Sequence, residues 1–152
     1  MPVMITGATG FIGMHVAKLL QAEGETLHVL ARPTADLAVV QGEGVKVFHG
    51  DIMDRASVAR AMEGCDRVFH LAAYAKNWAK DGELFTRINV GAVTNILESA
   101  QAQGVQGVVF TSTNLTMSTS TGSPVNESTP RVTPLFTDYE VSKTRAEAVA
   151  LS

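Results

Sequence analysis

Thr6-Gly7-Ala8-Thr9-Gly10-Phe11-Ile12-Gly13 is the stretch that decides the fold. It follows a short apolar run, Val3 to Thr6, that reads as a strand, and it leads into Phe11 to Glu23, which reads as a helix. In that helix Ile12, Val16, Leu19 and Leu20 fall at i, i+4, i+7 and i+8 and predict one apolar face, with Gly24 where a C-cap glycine belongs. The glycines are spaced G-x-x-G-x-x-G. Gly7 permits the tight turn, Gly10 lets backbone N–H groups approach a pyrophosphate, and Gly13 lets the helix pack close to the strand. The helix N-terminus adds orphan donors and the positive end of a dipole. Thr9, Phe11 and Ile12 share this loop and first turn and join the three glycines as expected cofactor contacts.

Outward from this turn, strand and helix alternate. Thr26 to Leu30, Val45 to Phe48, Arg67 to Leu71 and Gly107 to Thr111 read as further strands. Arg55 to Met62 reads as a short helix capped by Asp54, and Leu84 to Gln103 as a long one with Ile88, Ala92, Ile96 and Leu97 on one side. A last helix opens near Asp138 and runs to the C-terminus. The strands are continuous apolar runs, as when both sheet faces are covered. The expected fold is a doubly wound parallel α/β sheet of the Rossmann type with five strands, one short of the usual 3-2-1-4-5-6 order.

Composition agrees with one folded domain. The chain has 152 residues, 45% hydrophobic and 18% charged, which excludes a disordered chain. Twelve Lys and Arg against 15 Asp and Glu give a net charge of −3, the wrong sign for a nucleic-acid backbone binder. The single cysteine, Cys65, excludes an internal disulfide framework. His15, His28, His49 and His70 show no metal-ligand spacing, so no metal is expected. No apolar run is long enough for a membrane span and no signal-peptide pattern opens the chain, so a cytoplasmic location is expected. From Thr111 to Ser123, nine of thirteen residues are Ser or Thr, read as a solvated loop after the fifth strand.

Two further places carry chemistry. An NAD site usually places an acidic residue at the end of the second strand. Here Leu30-Ala31-Arg32-Pro33 offers none before Asp36, and Arg32 suits a 2′-phosphate because guanidinium binds phosphate bidentately. NADP(H) is therefore the expected cofactor, with NAD(H) as the alternative. On the last helix, Tyr139 and Lys143 are four apart and share a face. Thr137-Asp138-Tyr139-Glu140 fits a capping box, which places Tyr139 in the first turn. An ammonium one turn away favours phenolate over phenol, so Tyr139 could pass a proton to or from a carbonyl or hydroxyl oxygen.

Together these residues resemble the extended short-chain dehydrogenase/reductases, the NAD-dependent epimerase/dehydratase group, along the whole chain. Gly50-Asp51-Ile52 resembles the family segment in which the aspartate contacts adenine. Phe69-His70-Leu71-Ala72-Ala73 resembles the fourth-strand segment that lines the cofactor, Asn89-Val90 the family's Asn-Val segment, and Val108-Val109-Phe110-Thr111-Ser112-Thr113 the strand end that delivers an active-site hydroxyl. The Arg32-Pro33 turn and the Trp78 to Asn89 stretch look most like the dihydroflavonol-reductase-like branch. The resemblance implies hydride transfer at the nicotinamide with Tyr139 as acid/base and Lys143 on the nicotinamide ribose. It implies a hydroxyl on the substrate oxygen from Thr113, with Ser112 as second choice. The chain departs from the family's paired serines and Tyr-Gly, reading Ser112-Thr113-Asn114-Leu115.

Other residues have blander readings. Asp51 could be a turn residue, Asn89 a buried amide serving backbone, and His70 a packed histidine. Cys65 has no activating neighbour in sequence, and Tyr74 and Trp78 could roof the site or cover the sheet. Ser152 falls nine residues after Lys143. A family member would continue into a substrate lobe, so residues 1–152 are expected to be the cofactor half of a longer protein, or to pair with another copy across an open fifth-strand edge. Three functions follow: an oxidoreductase acting on a small-molecule carbonyl or secondary alcohol, an epimerase or dehydratase acting on a nucleotide-activated or lipid-linked sugar, and a non-catalytic NAD(P)-binding module.

Overall fold

The computed structural model describes residues 1–120 and 122–152; Thr121, within the Ser/Thr-rich stretch, lies outside the described residues. The elements are β1 (Val3–Thr6), α1 (Phe11–Ala22), β2 (Leu27–Ala31), β3 (Val45–His49), α2 (Arg55–Met62), β4 (Arg67–His70), α3 (Glu83–Gln103), β5 (Gly107–Phe110), a 3-10 turn (Asn114–Thr116) and α4 (Asp138–Ala150). All neighbouring strands pair in parallel, in the order β3-β2-β1-β4-β5. That is the expected doubly wound order for five strands. The order reverses between β1 and β4, where a doubly wound sheet opens its crevice.

Alternation along β1 sends side chains into two cores. Val3 and Ile5 pack with Ala17, Leu27, Val29 and Val40 on the α1 side, and Met4 packs with Leu30, Val58, Met62, Val68 and Ile96 on the side of α2 and α3. Helices cover both faces, so β1 and β2 are buried at every position. β3 and β5 are the two edges of the sheet, and Val109 of β5 is 50% exposed.

Several local readings shift. The buried face of α1 is Gly13, Val16, Ala17 and Leu20; Ile12 and Leu19 are exposed. Gly13 sets this face, because a Cβ there would strike the Gly7 backbone and its absence lets the helix lie against the glycine turn. β4 stops at His70 and not at Leu71, because the Ala72 N–H turns to the Thr6 side chain. β5 stops at Phe110 and not at Thr111, whose carbonyl accepts from Lys143. Asp54 caps α2 as expected, its carboxylate accepting from the Ala56 and Ser57 N–H groups. The N-terminus of α4 is half of the expected capping box. Thr137 Oγ1 accepts the Glu140 N–H at 3.1 Å, but the Glu140 carboxylate accepts from Phe136 N–H, one residue before the position a capping box uses. No helix among the described residues is long and apolar enough to cross a membrane.

Candidate active site

The glycine turn, Arg32, Asp51, Leu71 to Ala73 and Ser112-Thr113 each follow the carboxyl end of a strand, so parallel pairing gathers them along one edge of the sheet, and Asn89, Tyr139 and Lys143 are brought to it by α3 and α4. The glycine turn is the tightest part. Gly7 has φ +74°, a left-handed backbone that disfavours any side chain, and a Cβ there would lie 2.6 Å from the Ala72 nitrogen. A Cβ at Gly13 would lie 2.0 Å from the Gly7 carbonyl oxygen. Gly10 is exposed and caps α1 without a side-chain hydrogen bond, and no acidic residue stands in the first turn. The orphan N–H groups therefore have no carboxylate competing for them. Thr9 is half-buried, while Phe11 and Ile12 are 77% and 55% exposed beside the turn. This cradle fits the pyrophosphate of a dinucleotide.

Arg32 stands directly after β2, exposed, and makes no ion pair among the described residues. Asp51 follows β3. Its Oδ1 accepts the Met53 N–H at 2.8 Å, so the carboxylate shapes a turn and remains exposed. Ile52 is half-buried, and its carbonyl accepts from Asn95 Nδ2 at 2.9 Å, tying that turn to α3.

After β4, Leu71 and Ala72 are half-buried against the glycine turn and Ala73 is exposed. Asn89, 3% exposed, organises this segment. Its Oδ1 accepts the Tyr74 N–H at 2.7 Å, and its Nδ2 donates to the Tyr74 carbonyl at 3.3 Å and to Ser142 Oγ at 2.9 Å. Ser142 in turn donates to the Tyr139 carbonyl at 2.8 Å. Asn89 thus serves backbone and links the β4 loop to the first turn of α4. Tyr74 packs edge-on against Phe85, whose ring also meets Tyr139, and Trp78 is 76% exposed.

Tyr139 is half-buried, edge-on to Phe85, and its hydroxyl makes no hydrogen bond among the described residues. Lys143 is 2% exposed; its Nζ donates to the Thr111 carbonyl at 2.7 Å and lies 4.2 Å from the centre of the Phe110 ring. Burial pushes its ammonium down to about 8, opposed by the carboxylate of Glu147. The two hydroxyl candidates differ. Ser112 donates to the Glu147 carboxylate, which also accepts from Thr116 Oγ1. Thr113 Oγ1 accepts the Leu115 N–H at 3.3 Å as cap of the 3-10 turn. A cleft of about 460 Å³ opens beside Ser112, Thr113, Thr116, Glu127, Arg131 and Glu147.

Two further buried titratable groups are held within the core. His70 is 2% exposed, with Nδ1 2.7 Å from Thr6 Oγ1, and burial, aided by Lys143, pushes it down to about 4. Cys65 does have a neighbour, His28 Nδ1 at 3.4 Å, but burial pushes the thiol up to about 11 and leaves it unreactive. No group of three or more His, Cys, Asp or Glu that could hold a metal occurs among the described residues. Sequence reading missed Thr6, Ser142, Glu147 and Arg131. Glu147 carried a signal, standing four residues after Lys143 on the same helix face.

The family model described as the NAD dependent epimerase/dehydratase family matches residues 3–152. A 2-alkyl-3-oxoalkanoate reductase of Shewanella oneidensis is 33% identical over 97% of this chain and 38% of its own. The UDP-glucose 4-epimerase of Thermus thermophilus, solved with NAD, superposes with a TM-score of 0.84 at 31% identity, over 97% of this chain and 49% of its own. A dTDP-glucose 4,6-dehydratase of Streptomyces venezuelae, solved with NAD, gives 0.86 at 29% identity, over 98% of this chain and 50% of its own. The chain thus spans half or less of the length of each of these relatives.

Proposed function

The chain belongs to the NAD-dependent epimerase/dehydratase family within the extended short-chain dehydrogenase/reductases, and on that premise we propose that residues 1–152 form the cofactor-binding part of an NADP(H)-dependent oxidoreductase. Its reaction is hydride transfer between the nicotinamide and a carbonyl or secondary alcohol. The observation that carries the reading is the convergence, at one sheet edge, of an uncapped glycine cradle, an unpaired Arg32 and the Tyr139–Lys143 face.

When bound, the nicotinamide supplies the hydride donor or acceptor. The cradle of Gly7, Gly10 and Gly13 holds the pyrophosphate through backbone N–H groups. Thr9, Phe11, Ile12, Leu71, Ala72 and Ala73 line it, and Asp51 and Ile52 flank the adenosine end. Arg32 faces the 2′-phosphate, where a fork of guanidinium donors has no carboxylate to compete with. Tyr139 gives the substrate oxygen its proton, or takes it in the reverse direction. Lys143 holds a positive charge beside the tyrosine and the nicotinamide ribose, and Asn89 fixes the turn on which Tyr139 rides. Thr113 is the favoured substrate hydroxyl: Ser112 is held by the Glu147 carboxylate, whereas the Thr113 hydroxyl donates only to Asn114 Oδ1, at 3.5 Å, and keeps its cap role through a lone pair.

A second reading, an epimerase or dehydratase that recycles bound NAD, is favoured by the solved structures, which hold NAD. Fluorescence titration with NADPH and NADH, on the wild type and Arg32→Ala, separates the two. Tighter NADPH binding that Arg32→Ala abolishes supports the first reading. Equal binding of both cofactors, unchanged by Arg32→Ala, removes the 2′-phosphate assignment and favours the second.

A further inference from the structure

The guanidinium of Arg131 is turned inward, its side chain only 18% exposed. Nε donates to the Thr133 carbonyl at 2.9 Å, Nη1 to the carbonyls of Leu115 and Met117 at 2.6 Å each, and Nη2 to the Pro134 carbonyl at 2.9 Å. The Glu140 carboxylate lies 3.6 Å from Nη2 and accepts the Phe136 N–H at 2.8 Å. These acceptors belong to two segments. Leu115 and Met117 lie in and just after the 3-10 turn that Thr113 caps, and Thr133 and Pro134 lead to Thr137, the cap of the helix that carries Tyr139 in its first turn. Among the described residues no helix or strand lies between Met117 and Thr137, so these carbonyls have no ladder to enter and need a partner from elsewhere. A planar fork of five donors serves four carbonyls at once; an ammonium with three donors on a flexible stem does not.

We propose that Arg131 is a positioning residue that clamps the turn carrying Thr113 to the entry of the helix carrying Tyr139 and so sets the two hydroxyls relative to each other. It rests on the assignment of Thr113 and Tyr139 made above. The clamp holds Leu115 and Met117, directly after the Ser112-Thr113-Asn114 stretch.

Three measurements test it. In the wild-type chain trypsin cuts after Arg131 at least about tenfold more slowly than after the exposed Lys76 and Lys80, although Val132 beside it is 82% exposed. Cleavage at Arg131 as fast as at those lysines overturns the clamp and needs no variant to fold. In Arg131→Lys, which keeps the charge and loses the fork, hydrogen exchange rises together at 115–117 and 136–140 while 3–22 is unchanged. A response in one segment alone, or in neither, overturns the coupling. Finally, Arg131→Lys binds NADPH with near wild-type affinity but loses the enhanced nicotinamide emission that a correctly seated ring gives. Full emission despite faster exchange overturns positioning and leaves a structural residue. A wild-type chain that binds no cofactor refutes the cofactor assignment instead, and cleavage and exchange still judge the clamp.

Discussion

Acid should unfold this protein through His70. The ring is buried between β1 and β5, against Thr6 and stacked on Phe110 at 6.0 Å, with the Lys143 ammonium on α4 as the nearby charge. Folding lowers its titration from 6.5 to about 4. Between those values the unfolded chain binds a proton that the folded chain refuses, so stability is intact above pH 6.5 and is lost as pH falls. At pH 4.5 the loss is about 2.5 kcal/mol, from RT times the logarithm of the ratio of the two binding polynomials. That is a sizeable share of a typical stability of roughly 5–15 kcal/mol. Urea unfolding followed by circular dichroism, at pH 7.5 and pH 4.5, measures it. His70→Gln keeps a polar side chain but cannot charge, so its stability should fall over the same interval by about 2.5 kcal/mol less than that of the wild type. Equal losses in the two proteins would show that His70 does not titrate as a buried group and would refute the reasoning.

Gly13→Ala drives a Cβ to 2.0 Å from the Gly7 carbonyl oxygen, all of it against backbone, so about 3 kcal/mol of stability and all cofactor binding should go. Gly10→Ala, with only Gly7 O at 3.3 Å and a negative φ, should melt within a few degrees of wild type, a contrast that calorimetry reads directly. Asn89→Leu strands the Tyr74 N–H and should cost about 2–4 kcal/mol in denaturant unfolding. Lys143→Met removes a buried charge; it should gain about 1–3 kcal/mol at pH 7, and the gain should shrink as pH rises from about 8 towards 10.5, where the wild-type amine becomes neutral in both states. In the proposed oxidoreductase that contains residues 1–152, Tyr139→Phe should abolish turnover while cofactor still binds with wild-type affinity; retained turnover would remove Tyr139 from the chemistry.

Local signals were enough for the frame of this protein. The glycine turn, the apolar runs and the Asp54 and Thr137 caps depend on residues within one or two turns of each other, so their spacing along the chain is their spacing in space. From those elements the parallel five-stranded sheet, and the edge at which the candidate site residues lie, followed by the geometry of strand–helix–strand crossovers. Tertiary structure alone decided which face of α1 is buried, because the close approach of Gly13 to the Gly7 backbone turns Ala17 inward and leaves Ile12 and Leu19 exposed. It alone decided that Ser112 answers to Glu147 across 35 residues and Asn89 to Ser142 across 53. It alone showed that Lys143 sits dry on Phe110, and that Arg131 gathers carbonyls from two segments. Each of these is set by where α3 and α4 come to rest against the sheet, and a hydrogen bond between distant residues leaves no period in the sequence to read.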